Sequence, residues 1–397
     1  MPKHEFTQFI QLPELKVLSF SKPSKLTWVF ELEKKFLYEV CPKCATKSYS
    51  VHDHRWVTIT DAPVRHKKVI LKIRKRRFRC PGCKSVFTEP VSGIRKGFRS
   101  TERLRKHVMW ASDNFSNLKA VSKQLFVSTW FVYKCYYEQL ALQVKKMNNP
   151  WGSTVGIDEH AVKKDKRKRQ RDFATIFVEY TYNRVREISF GRSKSELMAD
   201  CRLTSIPGRE NVSNVIIDLS RPYHSFVREF FPNAKIIADR FHVVRLFNNI
   251  LNKYRKEATG DIRKNPIRKL LLAKAKNLES YQRKVIKIWL KENPLVERIY
   301  YFKEKLHRFY DIKGTGRARK ALIKLTDEMA RSTIPEIRSL RQTLHKWREE
   351  ILNFFFCNRL TNGKTEGYNR KSKLIQRNAY GFKNMDNYRL RLRYACR

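Results

Sequence analysis

Val155-Gly156-Ile157-Asp158-Glu159 is the stretch on which the fold turns. Its apolar run reads as a buried strand that carries a carboxylate to its end. The very basic run from Lys163 to Arg171 follows soon after. Phe173 to Tyr180 and Arg184 to Phe190 make a hairpin around Tyr182-Asn183. Ser193 to Leu203 reads as a helix, capped by Ser193 with Glu196 three residues on. Val212 to Asp218 is a strand whose end, Val215-Ile216-Ile217, is continuously apolar, as a central strand requires. Pro222 to Phe231 is a helix with Pro near its start. Lys235 to Ala238 is one more short strand.

Three strands, helix, strand, helix, strand is the order of a ribonuclease H-like α/β core. Such a sheet sets its first and fourth strands side by side, so Asp158 and Asp218 meet at adjacent strand ends. Successive strand residues face opposite ways, so Glu159 reaches the same place only if the strand has already ended. Asp239, in Ala238-Asp239-Arg240-Phe241-His242, also ends a strand and has a histidine three residues on. It competes with Asp218 for the second position. Asp218 ranks first because its strand is the fourth in the order, leaving Asp239 and His242 as secondary candidates. His224 is a weaker one.

Downstream, residues 240 to about 357 read as helical throughout, with breaks at Asn265-Pro266, Asn293-Pro294, Gly314-Thr315-Gly316 and Ile334-Pro335. The last stretch opens with a polar turn at Thr361 to Lys364. A helix bearing Glu366 follows. After Glu350 the only acidic residues are Glu366 and Asp386. A lone glutamate at the start of a helix returning to the core reads as a metal ligand rather than an ion-pair partner.

Upstream, two strand-then-knuckle units deliver Cys41-Pro42-Lys43-Cys44 and Cys80-Pro81-Gly82-Cys83. Four thiolates at that spacing suit one structural zinc in tetrahedral geometry. Val69, Leu71 and Ile73 alternate along the strand before the second knuckle, which becomes basic from Lys72 to Arg79. His52, His54 and His66 read as surface histidines on the loop between the knuckles. Residues 96 to about 149 are helical. Asn117 to Leu125, a turn at Phe126-Val127-Ser128 and a helix from Thr129 have helix-turn-helix spacing, with Phe126 where glycine is usual. Ser128, Thr129, Trp130, Tyr133 and Lys134 are the candidate DNA contacts there. Lys364, Arg370, Lys371 and Lys373 are those of the C-terminal stretch.

The expected domains are an N-terminal extension (1–30), a zinc ribbon (31–95) and a helix-turn-helix domain (96–149). The core follows in two parts (150–245 and 356–397), interrupted by an all-helical insertion (246–355).

Composition sets the partner. The 397 residues hold 86 Lys plus Arg against 37 Asp plus Glu, a formal charge of +49 spread along the chain. Such a field concentrates polyanions, and nucleic acid repays it by releasing counterions. No apolar stretch approaches the roughly 20 residues that span a bilayer, and no apolar signal core follows the first charges. A cytoplasmic, nucleoid-associated protein is expected. The eight cysteines are too sparse for a secreted disulfide scaffold.

Asp158, Asp218 and Glu366 therefore suit one divalent-metal site. Phosphodiester cleavage needs an activated water, a stabilised leaving oxygen and neutralised charge at phosphorus, which two magnesium (or manganese) ions supply. Magnesium prefers carboxylate oxygens and water. Asp158 is the bridging candidate, and Asp218 and Glu366 would each hold one ion.

With these residues in place, the chain resembles a DDE-type transposase of the ISL-three bacterial insertion-sequence family. The resemblance rests on the paired knuckles with Arg77-Phe78-Arg79 before the second, and on Gly156 to Ala161 (GIDEHA). It continues with Ile217 to Tyr223 (IDLSRPY), Phe231 to Lys235 (FPNAK) and Asp239 to Val243 (DRFHV). Thr361 to Lys373 (TNGKTEGYNRKSK) is the most specific stretch, and Tyr380 to Asn384 (YGFKN) follows. The resemblance implies cleavage at element ends and strand transfer to target DNA, with Asp158, Asp218 and Glu366 as the triad. It implies that the zinc ribbon and helix-turn-helix read terminal inverted repeats. Bringing two ends together implies a homodimer or larger assembly on double-stranded DNA. The rivals are a non-catalytic DNA-binding regulator derived from a transposase, which would gain nothing from the acidic trio, and an RNA-directed nuclease, which would not need a duplex-DNA reader.

Overall fold

A computed structural model describes residues 10–114, 117–164, 171–260 and 265–397. The chain divides into two units, Met1–Gln143 with Asn378–Tyr380, and Val144–Arg377 with Gly381–Arg397. Residues 165–170 of the basic run after Asp158 lie outside the described residues. No helix among the described residues is long and apolar enough to cross a membrane.

The first unit begins with strands β1 (Leu15–Ser24) and β2 (Thr27–Lys34). The short pair β3 (Glu39–Val40) and β4 (Lys47–Ser48) frames the first knuckle. The long strands β5 (Val51–Val64) and β6 (Lys67–Arg79) and the short β7 (Val86–Thr88) follow. The sheet order is β1-β2-β6-β5, with β7 also on β6. Val69, Leu71 and Ile73 point into a core with Leu15, Val17, Phe30, Leu32 and Ile59, as their alternation requires. Two features differ from the sequence reading. Residues 15–34 are integral to this sheet, because β2 runs parallel to β6 from Thr27↔Lys68 to Glu33↔Arg74. The segment between the knuckles is a strand rather than a loop: His52 and His54 lie exposed on β5, and His66 is exposed in the turn to β6.

Helices α1 (Glu102–Asn114), α2 (Leu118–Gln124) and α3 (Thr129–Lys145) come next. Thr101 Oγ1 accepts from Leu104 N at 3.2 Å and Asn117 Oδ1 from Ala120 N at 2.8 Å, so a side chain caps each of the first two. Ser128 Oγ accepts from Phe131 N at 3.1 Å at the head of α3. Phe126 holds φ 54° in the turn between α2 and α3, the left-handed conformation glycine would adopt freely. Along α3, Val132, Cys135, Tyr136 and Leu140 are buried, while Ser128, Thr129, Trp130, Tyr133 and Lys134 are exposed.

The second unit holds β8 (Thr154–Lys164), β9 (Arg171–Glu179) and β10 (Arg184–Phe190) as an antiparallel set. The single helix expected from Ser193 is two, α4 (Lys194–Ala199) and α5 (Cys201–Thr204). Asp200 breaks it by leaving the helical region and capping α5 through Arg202 N. Then come β11 (Asn214–Ile217), α6 (Arg221–Phe230) and β12 (Lys235–Ala238). The sheet order is β10-β9-β8-β11-β12, with β11 parallel to both neighbours. The first and fourth strands are therefore adjacent, as the element order requires.

The helical stretch comprises α7 (Arg240–Thr259), α8 (Pro266–Leu272), α9 (Ser280–Lys291), α10 (Pro294–Asp311), α11 (Thr315–Ala330), α12 (Pro335–Lys346) and α13 (Arg348–Phe356). The Asn-Pro and Ile-Pro breaks are helix starts with Pro in the first turn. These helices share one hydrophobic core with a sheet face, from Val155 and Ile157 through Phe226 and Phe247 to Ile351. The opposite face, with Ala174, Ile176 and Val178, packs on Tyr388 and Leu392 of α15 (Met385–Ala395), on Cys396 just after it, and on Tyr368 and Ile375 of α14 (Gly363–Asn378). Asp158 emerges between these two helical layers.

Candidate functional site

The four knuckle thiols of the first unit form a compact cluster. Their sulfurs all lie within 4.8 Å of one another, and this is the one group among the described residues with three or more Cys, His, Asp or Glu placed to hold a metal as they stand. The two knuckles repeat the same backbone bonds. Cys41 N donates to Thr46 O and Ala45 N to Cys41 O; Cys80 N donates to Ser85 O and Lys84 N to Cys80 O. Gly82 serves close approach rather than a special turn: a Cβ there would lie 3.0 Å from Thr46 Oγ1 and 3.7 Å from Cys44 Sγ. The Thr46 hydroxyl, 3.3 Å from Cys44 Sγ, is the largest influence drawing that thiol down to about 6, toward the thiolate that binds metal. His52, His54 and His66 are outside the cluster.

In the second unit a cleft of about 970 Å³ lies beside the middle of β8 and the ends of β11 and β12. Asp158, Asp218, Asp239 and Glu366 all line it, with Glu159, His242, Asn369, Arg370 and Lys373. Sheet register explains the first three. Ile216 pairs with Gly156 and Ile217 with Ala238, so carrying both registers past the ends of β11 and β12 sets Asp218 and Asp239 in one row with Asp158. Asp158 lies within β8 and not at its end as the sequence reading expects, because β8 stays paired with β9 as far as Lys164. Glu366 comes from α14, whose start is admitted by Gly156. A Cβ on Gly156 would lie 2.6 Å from Asn362 Oδ1 and nearer still to Thr365 Oγ1.

The carboxylates differ in their partners. Asp158 Oδ1 accepts from Glu159 N at 2.8 Å and Oδ2 from Asn369 Nδ2 at 2.7 Å. Burial pushes its pKa up, with the Asp239 charge adding to the rise. Asp218 is pushed up to about 6, chiefly by burial, while the His242 charge opposes the shift and the Asp158 and Glu159 charges add to it. Its Oδ1 is buried with no hydrogen-bond partner, and its Oδ2 is 4.0 Å from His242 Nδ1. Asp239 is committed elsewhere: its Oδ1 accepts from Asn362 N at 3.0 Å. Asn362 Nδ2 donates to Ile157 O at 3.1 Å, and Asn362 O accepts from Glu366 N at 2.9 Å. Asp239 thus anchors the turn that presents Glu366. Glu366 pairs with Arg370 at 2.7 Å, at 46% and 78% side-chain exposure. Such an exposed pair is weak and leaves the carboxylate exchangeable.

Glu159 lines the cleft although β8 runs on past it, and its Oε2 accepts from Tyr223 OH at 3.2 Å. His224 is outside the cleft, with Nε2 3.0 Å from Glu350 Oε1. Of the C-terminal basic candidates, Arg370 and Lys373 line the cleft. Lys364 instead donates to Asn183 Oδ1 at 2.6 Å and Lys371 to Ala395 O. The sequence reading passed over Asn362, Asn369 and His307. The first two stand in the very stretch that carries Glu366, and the spacing of Asn369, one turn after Glu366, was the available signal. His307, whose Nε2 is buried without a partner, comes from the helical insertion and had no local signal.

Hard carboxylate oxygens converge on one cleft, and Asp218 Oδ1 is buried there without a partner, a donor set of the kind that suits a hard divalent cation.

The stretches that carry the knuckle pair and the acidic cleft are both matched by models of one class, the insertion-sequence transposases. A family model described as "Transposase" matches residues 155–392, and one described as "zinc-finger of transposase IS204/IS1001/IS1096/IS1165" matches residues 38–83. The first spans more than half of the chain, and the chain belongs to this ISL-three (ISL3) transposase family. It is similar to the "Transposase for insertion sequence element IS1001" of Bordetella parapertussis, 24% identical over 368 residues, 90% of this chain and 88% of that protein. It is also similar to the "Transposase for insertion sequence element IS1557" of Mycobacterium tuberculosis strain CDC 1551 / Oshkosh, 24% identical over 258 residues, 58% of this chain and 56% of that one.

Proposed function

We propose that this chain is a DNA transposase that binds the terminal inverted repeats of its insertion sequence, cleaves at the element ends and joins them to target DNA. The observation that carries this reading is the row of Asp158, within β8, and Asp218, just past the end of the adjacent β11, with Glu366 lining the same cleft. We read the sheet as a ribonuclease H-like core, since its strand order is that of such a core. Asp158, Asp218 and Glu366 would hold two magnesium (or manganese) ions. When bound, these ions neutralise charge at phosphorus and activate the attacking oxygen. Asp218 offers its unpartnered Oδ1, and Asp158 is held from two sides by Glu159 N and Asn369 Nδ2. Asp239 is a supporting residue in this reading, because its carboxylate already holds Asn362 N. Arg370 and Lys373 would take the DNA backbone beside the cleft.

The first unit would read the ends. We infer that α2, the Phe126 turn and α3 act as a helix-turn-helix. Thr129, Trp130, Tyr133 and Lys134 form its outward face, and Lys134 Nζ lies 4.9 Å from the Trp130 ring centroid. The four cysteines would hold one structural zinc. Working on two ends, the protein would act as a dimer or larger on DNA, in the nucleoid of the cytoplasm.

The test is a joining assay with purified protein, an oligonucleotide duplex carrying the element's own end and a target plasmid. Joined product that needs magnesium or manganese is expected. Specific end binding with no cleavage or joining under any divalent cation would contradict this reading and favour a non-catalytic regulator.

A further inference from the structure

We propose that His160 and Asn369 form a directional hydrogen-bond relay that sets the orientation of Asp158, which makes Asn369 a positioning residue of the site. The inference rests on the reading of Asp158 as a metal ligand. It starts from two buried atoms without partners, Asn369 Oδ1 and His160 Nδ1. Their residues are only 5% and 3% exposed, a depth at which an unpaired polar atom is costly.

The two side chains are brought together by matched spacings. Asp158 and His160 point to the same face of β8, two residues apart. Asn369 and Ser372 follow one another by a single turn of α14. Asn369 meets Asp158 at 2.7 Å, and Ser372 Oγ meets His160 Nε2 at 3.0 Å. The Asn369 side chain also bears on the His160 ring.

The direction of the bonds follows from the groups available. Asp158 is an acceptor, so the Asn369 amide must turn its NH2 toward it. That leaves Asn369 Oδ1 facing away and needing a donor. His160 Nε2 lies 2.6 Å from Tyr388 OH and 3.0 Å from Ser372 Oγ. Gln376 Nε2 donates to Tyr388 OH at 2.9 Å, so the Tyr388 proton is free to point onward. A neutral imidazole that accepts a hydroxyl proton at Nε2 carries its own proton on Nδ1. Nδ1–H is then the donor that Asn369 Oδ1 lacks. Read in order, Gln376, Tyr388, His160 and Asn369 each donate toward Asp158. The carboxylate is thereby fixed before any ion arrives, as partners of metal ligands commonly do.

The experiment is manganese binding to the full zinc-loaded chain, followed by loss of the free Mn²⁺ paramagnetic resonance signal. Melting of each variant without added manganese checks that it is folded. Asn369→Ser and His160→Leu are expected to weaken binding by about 10-fold. His160→Asn, whose amide places a donor where Nδ1 stood, is expected to recover most of that loss. The relay is overturned if His160→Leu binds like wild type, including the case where Asn369→Ser alone is weakened, because Asn369 Oδ1 would then act without the histidine. Should His160→Leu not fold, His160→Asn decides: binding as weak as Asn369→Ser overturns the relay. Asp158→Asn separates the two claims. If it binds manganese as tightly as wild type, the site reading fails and takes the relay with it; if it weakens binding while the relay variants do not, only the relay fails.

Discussion

Gly156 shows how closely one residue couples strand and site. It occupies the strand that carries Asp158, and the missing side chain is what lets Thr365 and Asn362 sit against β8. Gly156→Ala is expected to destabilise the second unit by about 1–3 kcal/mol through overpacking, read as a lower melting temperature, and to lower joining because Glu366 is displaced with α14. Asp218 gives a second prediction. Its pKa of about 6 lies above the ordinary carboxylate range. Between those values the folded protein holds a proton that the unfolded chain has lost, so metal-free stability falls as pH rises through that window. Melting in a chelator across that range should show this slope, and Asp218→Asn should flatten it. Added magnesium should raise the melting temperature more above the window than below it, because it requires the ionised carboxylate. At this scale the sequence was informative about which carboxylates follow an apolar run, although it put Asp158 at the end of a strand that in fact runs on to Lys164. It was silent on their partners. Only the register shows that Asp239 joins the row, and only the side-chain contacts show that Asn362 already occupies it.

Elements were legible where one face is buried and the other is wet. Val69, Leu71 and Ile73 alternate cleanly, and β6 was found; β11 was found because Val215-Ile216-Ile217 is continuously apolar. Strand β5 escaped because Val51 to Trp56 is largely exposed on both faces, so His52, Asp53, His54 and Arg55 interrupt any period of two. Its pairing with β6 supplies the order that its own sequence lacks. Asp200 split a predicted helix for a comparable reason, since its side chain competes for a backbone N–H within what periodicity reads as one helix. Phe126 is the element-scale prediction. A left-handed non-glycine residue costs about 1–2 kcal/mol, so Phe126→Gly should leave the first unit as stable or raise its stability by about 1 kcal/mol. A clear drop in melting temperature would show that packing of the half-buried ring, rather than the turn, selects phenylalanine here.

For the whole molecule, a charge of +49 would draw the chain to DNA, and under the proposed function the two units would divide the work. Stripping zinc with a chelator, or Cys44→Ser, should abolish binding to the element's ends. Limited proteolysis should then cut residues 31–95 while the core from Trp151 onward persists. Loss of both units together would show that the zinc cluster supports the entire chain. The central claim is that Asp158, Asp218 and Glu366 act as one site, and strand transfer by Asp158→Asn, Asp218→Asn and Glu366→Gln on pre-bound element ends tests it most directly, with Asp239→Asn alongside. Each of the three is expected to lose joining by a factor on the order of 100 or more while still binding the ends, and Asp239→Asn to lose less. Full joining by any one of the three, or a greater loss in Asp239→Asn than in Asp218→Asn, would contradict the assignment.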